Sequence, residues 1–252
     1  MKNLNRVLTL LGLFFATTPA AWAKVSLEAS LDLRPSWTPS GSSLHTENEI
    51  GAKVLLQENL SVGYLQEFTS GLLQSESYKN VQTRDGYVRA EYNVTSDLKF
   101  EPRLILPTHV LERSRGFYGA FRPMVIYQVW NPGPFAVDLV ESPILKGYSS
   151  AFYDEDGNSN ANPWFENRFE LIPKAAYFNR KLVVRAPLIW QWIKDSSRSH
   201  SELWINPEII YQVTDTMSFG TSYYSANFIG TEDSVGEALR KGVVQFVVQY
   251  VL

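Results

Sequence analysis

Charged side chains recur at alternate positions inside stretches that are otherwise apolar, and their types and spacing are the chain's main resource for chemistry. The basic members are Arg89, Lys99, Arg103, Arg122, Arg168, Lys174 and Arg185. The acidic members are Glu28, Asp32, Glu49, Glu67, Glu202 and Glu208, with Lys53 the one cation among them. Facing one enclosed space, a basic and an acidic wall would set up a transverse field that orders ions and polar solutes. Glu91, Glu101, Asp138, Glu166 and Glu170 are interleaved with the basic set and would instead pair with it, bracing a filled interior. Spacing alone leaves both readings open.

Catalysis has little to build on. The only histidines are His45, His109 and His200, and all three fall in stretches that read as long loops. Ser199-His200-Ser201 with nearby Asp195 supplies the types of a hydrolytic triad, but neighbours on one loop cannot orient one another as a triad requires. No Gly-x-Ser-x-Gly motif occurs. A surface hydrolase using the loop histidines is therefore the weakest reading, and no enzyme is expected. Asp154-Glu155-Asp156-Gly157-Asn158-Ser159-Asn160 has the composition of a calcium loop, but its glycine stands fourth rather than sixth. A polar loop is expected there rather than a metal site, with weak Ca²⁺ binding or bridging to lipopolysaccharide as the alternatives. No cofactor is expected. The chain has no cysteine, so disulfides and thiolate sites are excluded.

The elements that must hold these charges come after a leader. Residues 1–23 read as a secretory signal peptide: Lys2 and Arg6, the apolar run Val7 to Ala16, then the Ala21-Trp22-Ala23 cleavage site. Its removal takes the formal charge from −3 to −5, which argues against nucleic-acid binding. The remainder, 24–252, reads as one domain. Apolar residues make up 44% and aromatics 13% of the 252-residue chain, enough to exclude disorder.

Along 24–252 the apolar period is two, as in strands. Val244, Phe246, Val248, Tyr250 and Leu252 share a face opposite Gln245 and Gln249. Val88, Ala90, Tyr92 and Val94 alternate with Arg89, Glu91 and Asn93. Twelve such segments can be marked. Short turn sequences, among them Thr95-Ser96-Asp97, Asn131-Pro132-Gly133-Pro134 and Thr214-Asp215-Thr216, separate every second pair. The intervening links, Arg34–Thr46, Thr69–Arg84, Lys146–Pro163 and Ala226–Arg240, are longer and polar. One apolar face, one polar face and short-long alternation predict an all-β fold: a transmembrane antiparallel up-and-down β-barrel of twelve strands, lipid outside and charges inside. Trp130, Trp164, Trp190, Trp192 and Trp204 suit interfacial girdles. Pro102, Pro123, Pro173, Pro187 and Pro207 fall inside the marked strands, where a ladder donor is lost, so bulges or altered pairings are expected.

The last strand, with Val244, Phe246, Val248, Tyr250 and Leu252, resembles the insertion signal of Gram-negative outer-membrane β-barrel proteins; Leu252 stands where that superfamily usually has Phe. The resemblance implies assembly by the outer-membrane insertion machinery, periplasmic tight turns and extracellular long loops. It implies contact with outer-membrane lipid and lipopolysaccharide. Among twelve-stranded members the chain is similar to the small porins of the oligogalacturonate and sialic-acid type. The expected function is passive diffusion of small hydrophilic solutes or ions, with Arg89, Lys99, Arg103, Arg122, Arg168, Lys174, Arg185, Glu28, Asp32, Glu67, Glu202 and Glu208 lining the lumen. The alternative is a non-conducting structural or adhesive barrel acting through its outer loops.

Overall fold

Period-two alternation takes effect as strands throughout the described residues, which are 24–38, 41–73, 82–155, 158–225, 227–229 and 235–251 of a computed structural model. The signal peptide expected at 1–23 lies outside them. The strands are β1 (Lys24–Thr38), β2 (Gly41–Gln57), β3 (Leu60–Leu73), β4 (Gln82–Thr83), β5 (Gly86–Asn93), β6 (Leu98–Phe100) and β7 (Arg103–Leu106). They continue as β8 (Phe117–Arg122), β9 (Val125–Trp130), β10 (Phe135–Tyr148), β11 (Phe152–Glu155), β12 (Asn158–Ala161) and β13 (Phe165–Tyr177). The last are β14 (Leu182–Arg185), β15 (Leu188–Lys194), β16 (Ser199–Ile205), β17 (Glu208–Gln212), β18 (Met217–Tyr224) and β19 (Val243–Val251). Two short helices among the described residues, α1 (Val110–Ser114) and α2 (Val235–Arg240), sit in the links.

Every pairing is antiparallel; where a proline splits a strand its two pieces together pair with the next segment, as β6 and β7 do with β9 and β8, and β19 pairs back onto β1 through Leu33↔Val248 and Ser30↔Val251. The architecture is the expected antiparallel barrel. Among the described residues the hydrogen bonds define nineteen strands where twelve segments were expected, and prolines that split one segment into two account for most of the difference. Pro102 separates β6 from β7, Pro123 separates β8 from β9, Pro187 separates β14 from β15, and Pro207 separates β16 from β17. At three of these steps the proline carbonyl still accepts from the neighbouring strand. Ala90 N–H donates to Pro102 O at 3.1 Å, Asn206 N–H to Pro187 O at 2.9 Å and Tyr223 N–H to Pro207 O at 2.9 Å. Proline lacks only the donor, and its carbonyl keeps the wall joined. Pro173 stays inside β13 opposite Val137.

The two faces differ as the alternation requires. Leu104, Phe121, Val125, Tyr127, Phe169 and Ile209 are exposed on the outer face, while Ser61, Glu101, Ser142, Glu166, Glu208 and Ser222 are buried on the inner one. This inversion of the soluble pattern suits a wall whose outer solvent is hydrocarbon. No helix among the described residues is long and apolar enough to cross a membrane. Trp204 departs from the expected girdle. It shares the inner face, where the Arg168 guanidinium lies 5.9 Å from its ring centroid.

The tight turns gather at the end that carries Lys24. One of them is strained: Phe178, Asn179 and Arg180 take φ of 50°, 57° and 67° in succession. Each L-residue there costs about 1–2 kcal/mol. The first link at the opposite end corrects an expectation, because Arg34–Thr46 is not a long loop: β1 and β2 stay paired as far as Thr38↔Gly41. His45 therefore lies in β2, and Ser199-His200-Ser201 opens β16 rather than forming a loop. The acidic stretch at 154–160 falls in the β11–β12 hairpin, of which residues 156–157 lie outside the described ones.

A charge on the outer face should be costly and one on the inner face tolerated. Val125 lies just past the Met124 step, midway along the β8–β9 wall. Val125→Arg is expected to lower the stability of the barrel refolded in lipid vesicles by about 2–4 kcal/mol. Gln128→Arg, on the inner face of the same strand, should cost far less. Urea unfolding followed by tryptophan fluorescence checks both.

Candidate functional site: the charged inner face

Register places the basic residues side by side. Arg89 of β5 is opposite Arg103 of β7, and Arg103 is opposite Arg122 of β8. Arg122 Nε donates to Ser142 Oγ at 2.5 Å, and Ser142 of β10 is opposite Arg168 of β13. Four arginines thus form one row across five strands, continued by Gln191 and Glu202 through Arg168↔Gln191 and Gln191↔Glu202. Directly opposed like charges repel, so the row needs compensation.

Carboxylates two residues nearer the tight turns supply it. Glu101 is almost wholly buried and accepts from Arg103 at 2.5 Å and Lys99 at 2.6 Å. Glu91 meets Arg89 at 3.1 Å, Lys53 at 3.1 Å and Lys99 at 3.5 Å. Glu170 meets Arg168 at 2.7 Å. Further along, Asp138 binds Lys174 at 2.6 Å and Gln128 at 3.2 Å, and Glu208 pairs with Arg185. The expected basic residues are therefore interleaved with acids, which is the pairing alternative left open by the spacing. Arg122 differs from its neighbours in the row: among the described residues it has no carboxylate at ion-pair distance, only the Ser142 hydroxyl.

The remaining expected residues are scattered. Glu202 lies 3.7 Å from His200. Glu67 borders a cavity at the other end of the barrel. Glu28 and Asp32 occupy β1 opposite Gly51 and Glu47, but their side chains lie outside the described residues. Asp195 spends its carboxylate on the β15–β16 turn, so it does not orient His200.

The link between β7 and β8 folds against the inner face at the end away from Lys24. Thr108 Oγ1 accepts Gly86 N–H at 2.6 Å and donates to Arg84 O at 2.7 Å, while His109 N–H donates to Asp85 Oδ1 at 3.1 Å. Beneath α1 lies a cavity of about 280 Å³. One wall is apolar, with Ile105, Phe117, Ala120 and Ile144 packed together. The other carries Glu67, Asp85, Glu112 and Glu166, with Lys146 held by Glu166 at 2.5 Å. Sequence reading missed Thr108, Asp85, Ser142 and Lys146. The parity of Ser142 in β10 was the only signal available for it, and Lys146 was assigned to a loop.

Solved structures that share this antiparallel barrel fold include outer-membrane channels and porins. An outer-membrane channel from Pseudomonas putida F1 matches at 12% identity and TM-score 0.57, covering 93% of this chain and 99% of that one. The NanC porin matches at 11% identity and TM-score 0.54, and the KdgM porin at 12% and 0.51; each covers 88% of this chain, and 99% and 98% of its own. No protein-family model matches the chain, and no curated protein matches it.

Two outcomes follow. Glu101→Gln leaves Lys99 and Arg103 short of a shared partner beside Arg122, and should cost about 1–3 kcal/mol of barrel stability in urea. Glu202→Gln, far less buried, should stay within about 0.5 kcal/mol. At the β15–β16 turn, burial raises the Asp195 pKa. Bonds from the Ser197 hydroxyl, Ser197 N–H and Arg198 N–H, each 2.7 Å, outweigh it and hold the carboxyl below the usual range. Because the folded value is lowered, the stabilisation is present above the ordinary value of about 3.9 and is lost only as pH falls through the lowered one. Hydrogen exchange at the Ser197 and Arg198 amides should stay protected at mildly acidic pH in the native protein and lose that protection in Asp195→Ala.

Proposed function

We propose that the chain is an outer-membrane channel through which small hydrophilic solutes and ions diffuse passively, without a chemical step of its own. The single observation that carries this reading is the row of Arg89, Arg103, Arg122 and Arg168 on the inner face of a wall whose outer face is apolar. Opposed side chains on adjacent strands are about 5 Å apart, well inside a Debye length of about 8 Å, so the row acts on a passing ion as one field. Carboxylates neutralise three of its members, and Arg122 is the charge left to act on a solute. The small porins named above support the reading through shared fold. In this proposal a signal peptide at 1–23 exports the chain, and the insertion machinery reads its last strand. Lipid and lipopolysaccharide then surround the wall, the tight turns face the periplasm and the long links face outward. No cofactor takes part.

Single-channel recording of the refolded mature protein in a planar bilayer under a salt gradient tests this. Discrete conductance steps are expected. Replacing Arg103, Arg122 and Arg168 together with Gln should move the reversal potential toward cations. An unmoved potential would reject the arginine row as the selectivity element. Silence from protein shown to be folded would reject the channel and leave a filled barrel acting through its outer links.

A further inference from the structure

We propose that the end of the barrel bearing the tight turns holds a binding site for a small oxyanion, phosphate or carboxylate, centred on Arg180 and Lys181. Two cavities meet there. One, of about 350 Å³, is bordered by Gln128, Asn131, Lys174 and Arg180, and no carboxylate is among its lining residues. The other, of about 240 Å³, is bordered by Arg180, Lys181, Gln212 and Ser218, with Asp215 its one carboxylate. Arg180 and Val183 border both, so the two adjoin at the β13–β14 turn.

The nearby acids are already committed. Asp138 is held by Lys174 and Gln128, and Glu208 by Arg185. Arg180 and Lys181 have no carboxylate at ion-pair distance among the described residues, in contrast to most cations of the barrel. Register puts Lys181 on the inner face: Gln212 N–H donates to Lys181 O at 2.7 Å, extending the Val183↔Ile210 pairing. The turn that presents Arg180 is the one with three successive left-handed residues, tied down by Lys181 N–H to Phe178 O at 3.2 Å. Strain of this kind persists where the surroundings over-determine a conformation, commonly at ligand clamps. Around Arg180 the two cavities gather a guanidinium, the Lys181 ammonium and the amides of Asn131 and Gln212, donor types from which an oxyanion accepts.

The opposite end has the opposite character, since Glu67, Asp85, Glu112 and Glu166 outnumber Arg84 and Lys146 around its cavity. The cavities at the two ends thus differ in charge, acids prevailing around the one under α1 and cations around the pair at the β13–β14 turn.

Titration of the refolded mature protein in detergent with inorganic phosphate, read by calorimetry and by ³¹P line broadening, tests the site without requiring conduction. Saturable binding is expected. Arg180→Gln should weaken it about tenfold, the loss of one charge-assisted contact, and Lys181→Gln should weaken it in the same direction. Arg198→Gln, an exposed arginine at the other end, should leave it unchanged. Folding of each variant is checked by circular dichroism, and Lys181→Gln serves if Arg180→Gln does not fold. Absence of saturable binding by the folded protein, equal weakening by Arg198→Gln, or weakening by Arg122→Gln but not by Arg180→Gln would each overturn the proposal. A silent bilayer recording alongside intact phosphate binding would sink the channel and spare the site.

Discussion

Hydrocarbon offers no partner to a backbone N–H or C=O, and each one left open there costs several kcal/mol. The rest of this molecule depends on that constraint. It requires every wall strand to have two neighbours, which is met at the seam by β19 pairing with β1. It explains why prolines sit at steps where the missing donor is tolerated while the carbonyl still accepts from the next strand. At the Pro102 and Pro123 steps the repair is reciprocal: Glu101 and Met124 exchange backbone bonds of 2.7 and 3.2 Å between the broken strands. Bends are thereby built into the wall without opening it.

With lipid outside, the polar residues have only the interior, and that sets the electrostatics. A row of arginines at strand spacing is unfavourable by itself. The acids two residues along, Glu91, Glu101 and Glu170, make it tenable, and each serves as a partner for one or more cations. Arg122 is supported differently. Its hydrogen bond to the fully buried Ser142 fixes its direction without cancelling its charge. One arginine therefore keeps its field while its neighbours lose much of theirs. The same logic separates the two ends, where acids prevail under α1 and unpaired cations prevail at the β13–β14 turn.

Much of the fold was legible because lipid and lumen impose a strict period of two. The alternation in β5 and β19, the tight turns and the inward set of charges all follow from that period. Where the period lapses, reading failed. Thr38, Gly41, Ser42 and Ser43 are polar on both faces, so nothing marked them as strand, yet β1 and β2 remain paired there. Lys146 looked like the start of a loop, but it extends β10 beside Glu166. Trp204 follows the inner parity of Glu202, and its aromatic character alone suggested a girdle.

What the sequence determined by itself was parity: which residues share a face, and hence that apolar side chains go out and charges in. A one-residue slip would exchange the faces and is forbidden. A two-residue slip keeps both faces intact and is invisible to the alternation, yet it changes every neighbour. Only the tertiary structure could therefore decide that Arg103 faces Arg122, that Ser142 rather than a carboxylate holds Arg122, and that Glu208 meets Arg185. Those choices rest on cross-strand pairings, on steps at the prolines and on the closing contact of β19 with β1, none of which is local in the chain.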